Sequence, residues 1–380
     1  MATDSKSSGA IHNRTTISHL YLHIPFCARI CPYCAFYKER TDAAYAERFC
    51  EAVLRELDAW LNQVSILPKT IFFGGGTPTA LTISQLRYLA GGFRDRLDFS
   101  ALSEWTVEAN PGSVSPRKAD LLKSVGINRI SLGVQSWDDD LLKLLGREHN
   151  AAQAEASYQV LREAGLTNVN IDLMFGLPGQ SLGQWEETLR KTVGLGPEHI
   201  STYCLTYEED TEFFERQTRG EFREDPDSDA SFLEAAMRIL GDAGFEHYEI
   251  SNYARDGYAS AHNRGYWAGE DYIGLGPGAF STIGLERTKN VSNYRTYAED
   301  ALVGRPLISS TEQLTEEMKH GERIVLALRT GHGIASAELD RWPDERQEFQ
   351  KLGLLQEIDG RQVLTAKGKL VADSVAEAFI

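Results

Sequence analysis

Residues 21–39 read YLHIPFCARICPYCAFYKE. Leu22, Ile24 and Phe26 give the first half the look of a buried β-strand, and Pro25 marks where its ladder must stop. Directly after it, Cys27, Cys31 and Cys34 stand at C-x3-C-x2-C spacing. The chain has five cysteines, the others being Cys50 and Cys204. An odd, clustered set suits a metal or redox site better than a disulfide framework. Three thiolates this close select zinc or an iron-sulfur cluster. A closed structural zinc needs a fourth ligand, for which the neighbourhood offers only His23 on the strand itself. A cubane held by three cysteines leaves one iron open to a small molecule. Cys50, on the buried stripe of a helix, and Cys204, in a strand, read as core residues.

Outward from this stretch, short β-rich runs alternate with helical periodicity. The candidate strands are residues 19–25, 70–76, 104–110, 129–136, 168–178 and 199–207, separated by amphipathic segments such as AAYAERFCEAVLRELDAWL. Six β-α units predict an α/β fold, a partial (β/α)6 TIM-like barrel with its chemistry at the C-terminal strand ends. A flat doubly wound sheet has the same periodicity. A further β-like run, EHYEISNYA (246–254), ends the regular alternation. Beyond it lie two helices, an Asp359-Gly360 hairpin signal and a final helix, which together predict a smaller α+β, winged-helix-like domain. The expected division is a flexible tail over 1–18, a barrel with its extension over 19–285 and a C-terminal domain over 286–380.

Composition narrows the function. The chain has 380 residues, 42% hydrophobic and 25% charged, as a soluble globular protein does. Its 39 Lys and Arg against 55 Asp and Glu leave a net charge of −16, which disfavours a nucleic-acid partner or an anionic membrane surface. The winged-helix-like part is therefore expected to pack or to act as a lid. The polar start and the lack of a long apolar run predict a cytoplasmic protein that is not integral to a membrane. No G-x-S-x-G elbow or Walker loop is present, which removes common hydrolase and nucleotide triphosphatase readings.

A second motif, FFGGGTPT (72–79), ends the second strand. Its glycines let backbone approach a ligand and offer peptide groups to a charged amine. Glu108, Gln135, Arg147 and Asp172 fall at later strand ends. A carboxylate, an amide and a guanidinium on one barrel face are what a zwitterionic, ribose-bearing ligand requires.

Taken with VEANP, RISLGVQS and DLMFGLPGQ, these motifs resemble the radical S-adenosylmethionine (SAM) superfamily. Within it they look like the subgroup of oxygen-independent coproporphyrinogen III dehydrogenases and HemW-type haem chaperones. The likeness runs from about residue 19 to the C-terminus and is weakest at the end. It implies a [4Fe-4S] cluster on Cys27, Cys31 and Cys34, and SAM contacts at Tyr21, Tyr33, Gly75, Gly76, Thr77, Glu108, Gln135, Arg147 and Asp172. In that superfamily the open iron chelates SAM, and electron transfer splits the sulfonium to a 5′-deoxyadenosyl radical. The dehydrogenase motif continues to a fourth cysteine, where this chain has Phe36, and the dehydrogenase has a longer N-terminal segment. Both departures favour the chaperone branch. That branch implies haem as cargo, acceptor haemoproteins such as respiratory-chain components as partners, and cluster and SAM in regulation, assembly or homodimer formation. The alternative is oxidative decarboxylation of coproporphyrinogen III. HNRGYW (262–267) also fits the chaperone pattern, with His262 as an expected haem ligand and Tyr266 and Trp267 as expected flanks of the macrocycle.

Overall fold

The computed structural model describes residues 15–380. Six parallel strands follow one another across one sheet: β1 (Thr16–Ile24), β2 (Ser65–Gly75), β3 (Glu104–Ala109), β4 (Arg129–Gln135), β5 (Val169–Phe175) and β6 (His199–Cys204). β1 begins at Thr16, inside the segment expected to be tail, and the tail residues before 15 lie outside the described residues. Crossover helices join successive strands and cover the sheet. Three of them start with the same reciprocal cap, a Thr, Asn or Ser whose side chain accepts from the third helical residue, a Gln that reaches back: Thr82 with Gln85, Asn150 with Gln153, Ser181 with Gln184. Each such box satisfies two orphan donors and is worth about 1 kcal/mol.

Beyond β6 the 246–254 run is two strands rather than one. β7 (Glu246–Glu249) and β8 (Asn252–Ala254) pair antiparallel with each other, and β8 pairs antiparallel with β6. At the opposite edge β9 (Tyr272–Leu275) lies parallel to β1, and β10 (Phe280–Ile283), β11 (Glu286–Asn290) and β12 (Ile308–Gln313) extend the sheet antiparallel. Among the described residues this gives one open sheet of 12 strands whose end strands do not meet. The boundary expected at residue 286 falls between two paired strands of this sheet.

The parallel strands divide their residues by period two. Trp105, Val107, Ile130, Leu132, Ile171 and Ile200 belong to the large apolar core beneath the helices. The alternate positions are polar and still buried: Thr70, Glu104, Thr106, Arg129, Ser131, Asn170, His199 and Ser201. The concave face is thus a polar trough. Gly276, at the turn after β9, has φ +95, and a Cβ there would stand 2.4 Å from the His23 carbonyl oxygen, so glycine is required for this turn to close on β1.

A second core, including Ile324, Leu328, Ile334, Leu355, Val375 and Phe379, builds the C-terminal unit. Its hairpin, Leu355–Ile358 with Arg361–Leu364, turns on Asp359 (φ 50) and Gly360 (φ 73), a two-residue turn with both residues left-handed as the Asp-Gly signal predicts. Glu249 and Arg329 join the two units through a 3.1 Å ion pair, and the Gly331 amide donates to the Tyr248 carbonyl at 2.8 Å. No helix among the described residues is long and apolar enough to cross a membrane.

Candidate functional site

The polar trough opens at the C-terminal strand ends into a cavity of about 490 Å³. Of the residues expected from sequence, Cys27, Cys31, Cys34, Tyr33, Gly75, Gly76, Thr77, Glu108, Gln135, Arg147 and Asp172 line it. Tyr21 and His262 do not.

The thiols sit on the loop leaving β1. Phe26–Cys27 pairs with Glu39–Arg40, and the Thr41 amide donates to the Cys27 carbonyl at 3.0 Å, so the loop is closed at its base. Burial pushes the Cys27 and Cys34 thiols up, against a pull down from the Thr77 hydroxyl, 3.5 Å from Cys27 Sγ, and from the Lys38 ammonium beside Cys34. A metal that displaces those protons restores the thiolates. Arg147 brings positive charge to them: its guanidinium donates to Cys31 Sγ at 3.6 Å, to the Tyr33 hydroxyl at 3.5 Å, to the Gly133 carbonyl at 2.7 Å and to Asn110 Oδ1. Its Nε is buried without a partner.

Gly75 and Gly76 show why the second motif is glycine-rich, and the reason differs from the one expected. Gly75 has φ +108, and a Cβ there would stand 2.6 Å from the His23 ring; a Cβ on Gly76 would stand 2.7 Å from the Pro25 carbonyl group. The close approach is to the chain's own first strand, which locks the thiol loop against β2. Glu108 accepts from the Gly75 amide at 3.0 Å. Burial, then the charge of Asp172, pushes its carboxyl up to about 8. Asp172 accepts from Ser131 Oγ at 2.9 Å and from Asn170 Nδ2 at 2.7 Å, and burial raises it as well. Gln135 has φ 71, a left-handed conformation rare outside glycine, at a shift in the β4–β5 register. Such a break re-aims a strand-end side chain and is held only where the surroundings enforce it.

The donor set fits a cluster better than zinc. His23 is fully engaged: Nε2 donates to the Tyr37 carbonyl at 2.8 Å, so Nδ1 accepts from the Tyr21 hydroxyl at 3.0 Å. The fourth zinc ligand is thereby removed. Among the described residues no three His, Cys, Asp or Glu gather in a way that could hold a metal ion. The ligands of a cubane attach to separate irons and need no common point.

Tyr21 packs beside the cavity, with its ring centroid 6.1 Å from that of Phe72, which lines it. His262 opens the helix Ala261–Trp267, whose first amides donate to Glu104. Its Nδ1 is 2.8 Å from Thr70 Oγ1, which is 2.7 Å from His19 Nδ1, whose Nε2 meets Glu270 at 2.8 Å. Burial pulls the His262 imidazole down to about 3, so it is neutral. Cys204, expected in the core, packs against it while partly buried and also lines the cavity at the end of β6.

Asn110, Arg129 and Tyr203 also line the cavity and were not expected there. Arg129 carried a signal, a charged residue opening an otherwise buried strand, which must find partners or a ligand. It is 2% exposed, with its Nε unpartnered.

Known proteins resemble this chain over most of its length. The radical SAM superfamily profile matches residues 21–192. The heme chaperone HemW of Bacillus subtilis is 36% identical over 376 residues, 95% of this chain and 98% of that protein. HemW of Escherichia coli is 35% identical over 376 residues, covering 95% and 97%. Among solved structures, the coproporphyrinogen III oxidase HemN of Escherichia coli, a radical SAM enzyme, superposes with a TM-score of 0.81 at 23% identity over 96% of this chain and 90% of that one, a likeness of fold. On the extent of these matches, this chain belongs to the radical SAM superfamily and, within it, to the HemW family.

Proposed function

We propose that this protein is a haem carrier that holds a [4Fe-4S] cluster on Cys27, Cys31 and Cys34, binds SAM beside it, and delivers haem to acceptor haemoproteins. The observation that carries the reading is the near full-length relation to proteins named heme chaperone HemW, together with Phe36 where the dehydrogenase motif has its fourth cysteine. Phe36 is 70% exposed at the cavity edge and supplies no thiol.

Bound to three cysteines, a cluster supplies an open iron for the amino and carboxylate groups of SAM and an electron for its sulfonium. The chain's own groups do the rest. Arg147 supplies positive charge beside the thiolates and is placed to meet a carboxylate. With SAM bound, the segment Gly75–Thr77 and Glu108 would receive its amine, and Gln135 and Asp172 would offer hydrogen bonds to its ribose hydroxyls. Glu108, near neutral at pH 7, offers its proton or its charge as the ligand demands.

The test is anaerobic reconstitution with iron and sulfide, followed by haem in one sample and coproporphyrinogen III, SAM and a reductant in another. A Soret band on the protein and transfer of haem to an apo-haemoprotein are expected. Protoporphyrinogen formation at a sustained rate would replace the carrier assignment with the dehydrogenase.

A further inference from the structure

HNRGYW does not form one haem-flanking group. Asn263 lines the strand-end cavity, Trp267 lines a second one beside Glu246, Arg264 and Arg361, and Tyr266 lines a third, between the sheet edge and the C-terminal unit. That cleft, about 790 Å³, lies within the range of small-molecule sites. One wall is Tyr266, Tyr272 and Phe280; the other is Met318 and Trp342, the Trp342 ring packed edge-on to the buried Phe379. Tyr266 is 51% exposed, Phe280 44%, Met318 42% and the neighbouring Ile380 69%. Large apolar side chains of two structural units, left half in water and facing one gap, mark a binding surface.

We infer that this cleft is the seat of the haem cargo, with the macrocycle between the two aromatic walls and the Met318 thioether facing the iron. The inference rests on the carrier reading above and adds the place. Its chemistry matches an iron porphyrin on three counts. Flat aromatic faces from opposite sides suit a planar apolar ring. Cations stand at the rim of a chain that is otherwise acidic: Lys319 has no ion-pair partner among the described residues, and Arg341 meets Glu317 only at 3.8 Å, both side chains being largely exposed. Such a pair exchanges readily for a propionate. Glu270, Glu317 and Glu322 also line the cleft, and Glu322 is held by Arg287 at 2.8 Å. For the iron, Met318 offers a neutral sulfur donor, 42% exposed and with no bond of its own, whereas the His320 side chain is 20% exposed and turns Nε2 to Glu338 at 2.9 Å. A single weak axial bond suits a protein that must release what it binds.

The experiment is a ferric-haem titration of the full-length, cluster-loaded protein, with Phe280→Glu and Met318→Cys beside the wild type. Phe280 and Met318 are exposed enough that cluster content and SAM binding should be retained, which controls for folding. Phe280→Glu is expected to weaken haem binding at least tenfold, and Met318→Cys to give a thiolate-type ferrous-carbonyl spectrum. Wild-type affinity in Phe280→Glu, or a wild-type spectrum in Met318→Cys, overturns this location while the carrier reading stands. A wild type that binds no haem overturns the carrier reading itself.

Discussion

The two cavities are built by opposite means. The strand-end cavity draws polar residues from consecutive parallel strands, and Glu108, Arg147 and Asp172 are tied to their neighbours by hydrogen bonds. The cleft at the sheet edge is lined by apolar residues from elements far apart in sequence, held by packing and carrying few bonds of their own. Fixed polar geometry suits a ligand that must be oriented. Loose apolar walls suit one that must enter and leave.

If the difference is real, changes in one cavity should leave the other's ligand alone. The largest effect is expected for Cys31→Ser, which should abolish cluster assembly; iron and sulfide analysis of reconstituted protein checks it, and an intact cluster would remove the basis of the strand-end site. Arg147→Lys keeps a charge but cannot reach Cys31, Tyr33, Gly133 and Asn110 together. SAM binding measured by calorimetry should weaken by roughly tenfold or more, with haem affinity unchanged. A parallel loss of haem affinity would show the two cavities to be one functional unit.

The junction between the units is tested by Arg329→Ala. The Glu249 carboxylate is 2% exposed and would lose its cation, at a cost of about 3 kcal/mol in denaturant unfolding. Unchanged stability would mean that its remaining donors, the Ser251 amide and Asn252 amide group, suffice.

Similar in size at neutral pH but opposite in sign is the effect of Glu108→Gln. The native carboxyl titrates at about 8 against 4.5 for the free group, so the native state is favoured while it stays protonated. The stability this gives is complete below about pH 4.5 and is lost as pH rises towards 8. The Gln variant should therefore gain on the wild type across that window and run parallel to it above. Melting curves from pH 4 to 9 check the sign. The smallest effect is expected for Asp359→Val in the C-terminal hairpin: a β-branched residue at φ 50 costs about 1 kcal/mol. No change in haem affinity should accompany it.

Cysteine spacing and strand-end position pointed to Cys27, Cys31, Cys34, Glu108 and Gln135 and the family resemblance to most of the rest; Arg147, expected at a strand end, lies beyond the helix Asp139–Leu144 and reaches back to Gly133. Arg129 and Asn110 were passed over although both stand in strands already recognised, since position along the strand does not say which side chains a cavity reaches. Tyr21 came in through the resemblance alone; its hydroxyl donates to His23, a contact that spacing does not reveal. The aromatic cleft was invisible, because Tyr266, Phe280 and Trp342 have no spacing that relates them.

The sequence by itself determined the succession of β-α units, the thiol loop, the glycine-rich second strand end and the Asp-Gly hairpin. These are local matters, set by side-chain period, backbone freedom and ligand spacing within a few residues. Only the tertiary structure decided that the glycines make room for β1, that His23 is unavailable to a metal, that the sheet runs on past the parallel strands, and that two distant segments face each other across an apolar gap. Each of those depends on contacts between residues remote in the chain, and such contacts are fixed by how whole elements pack.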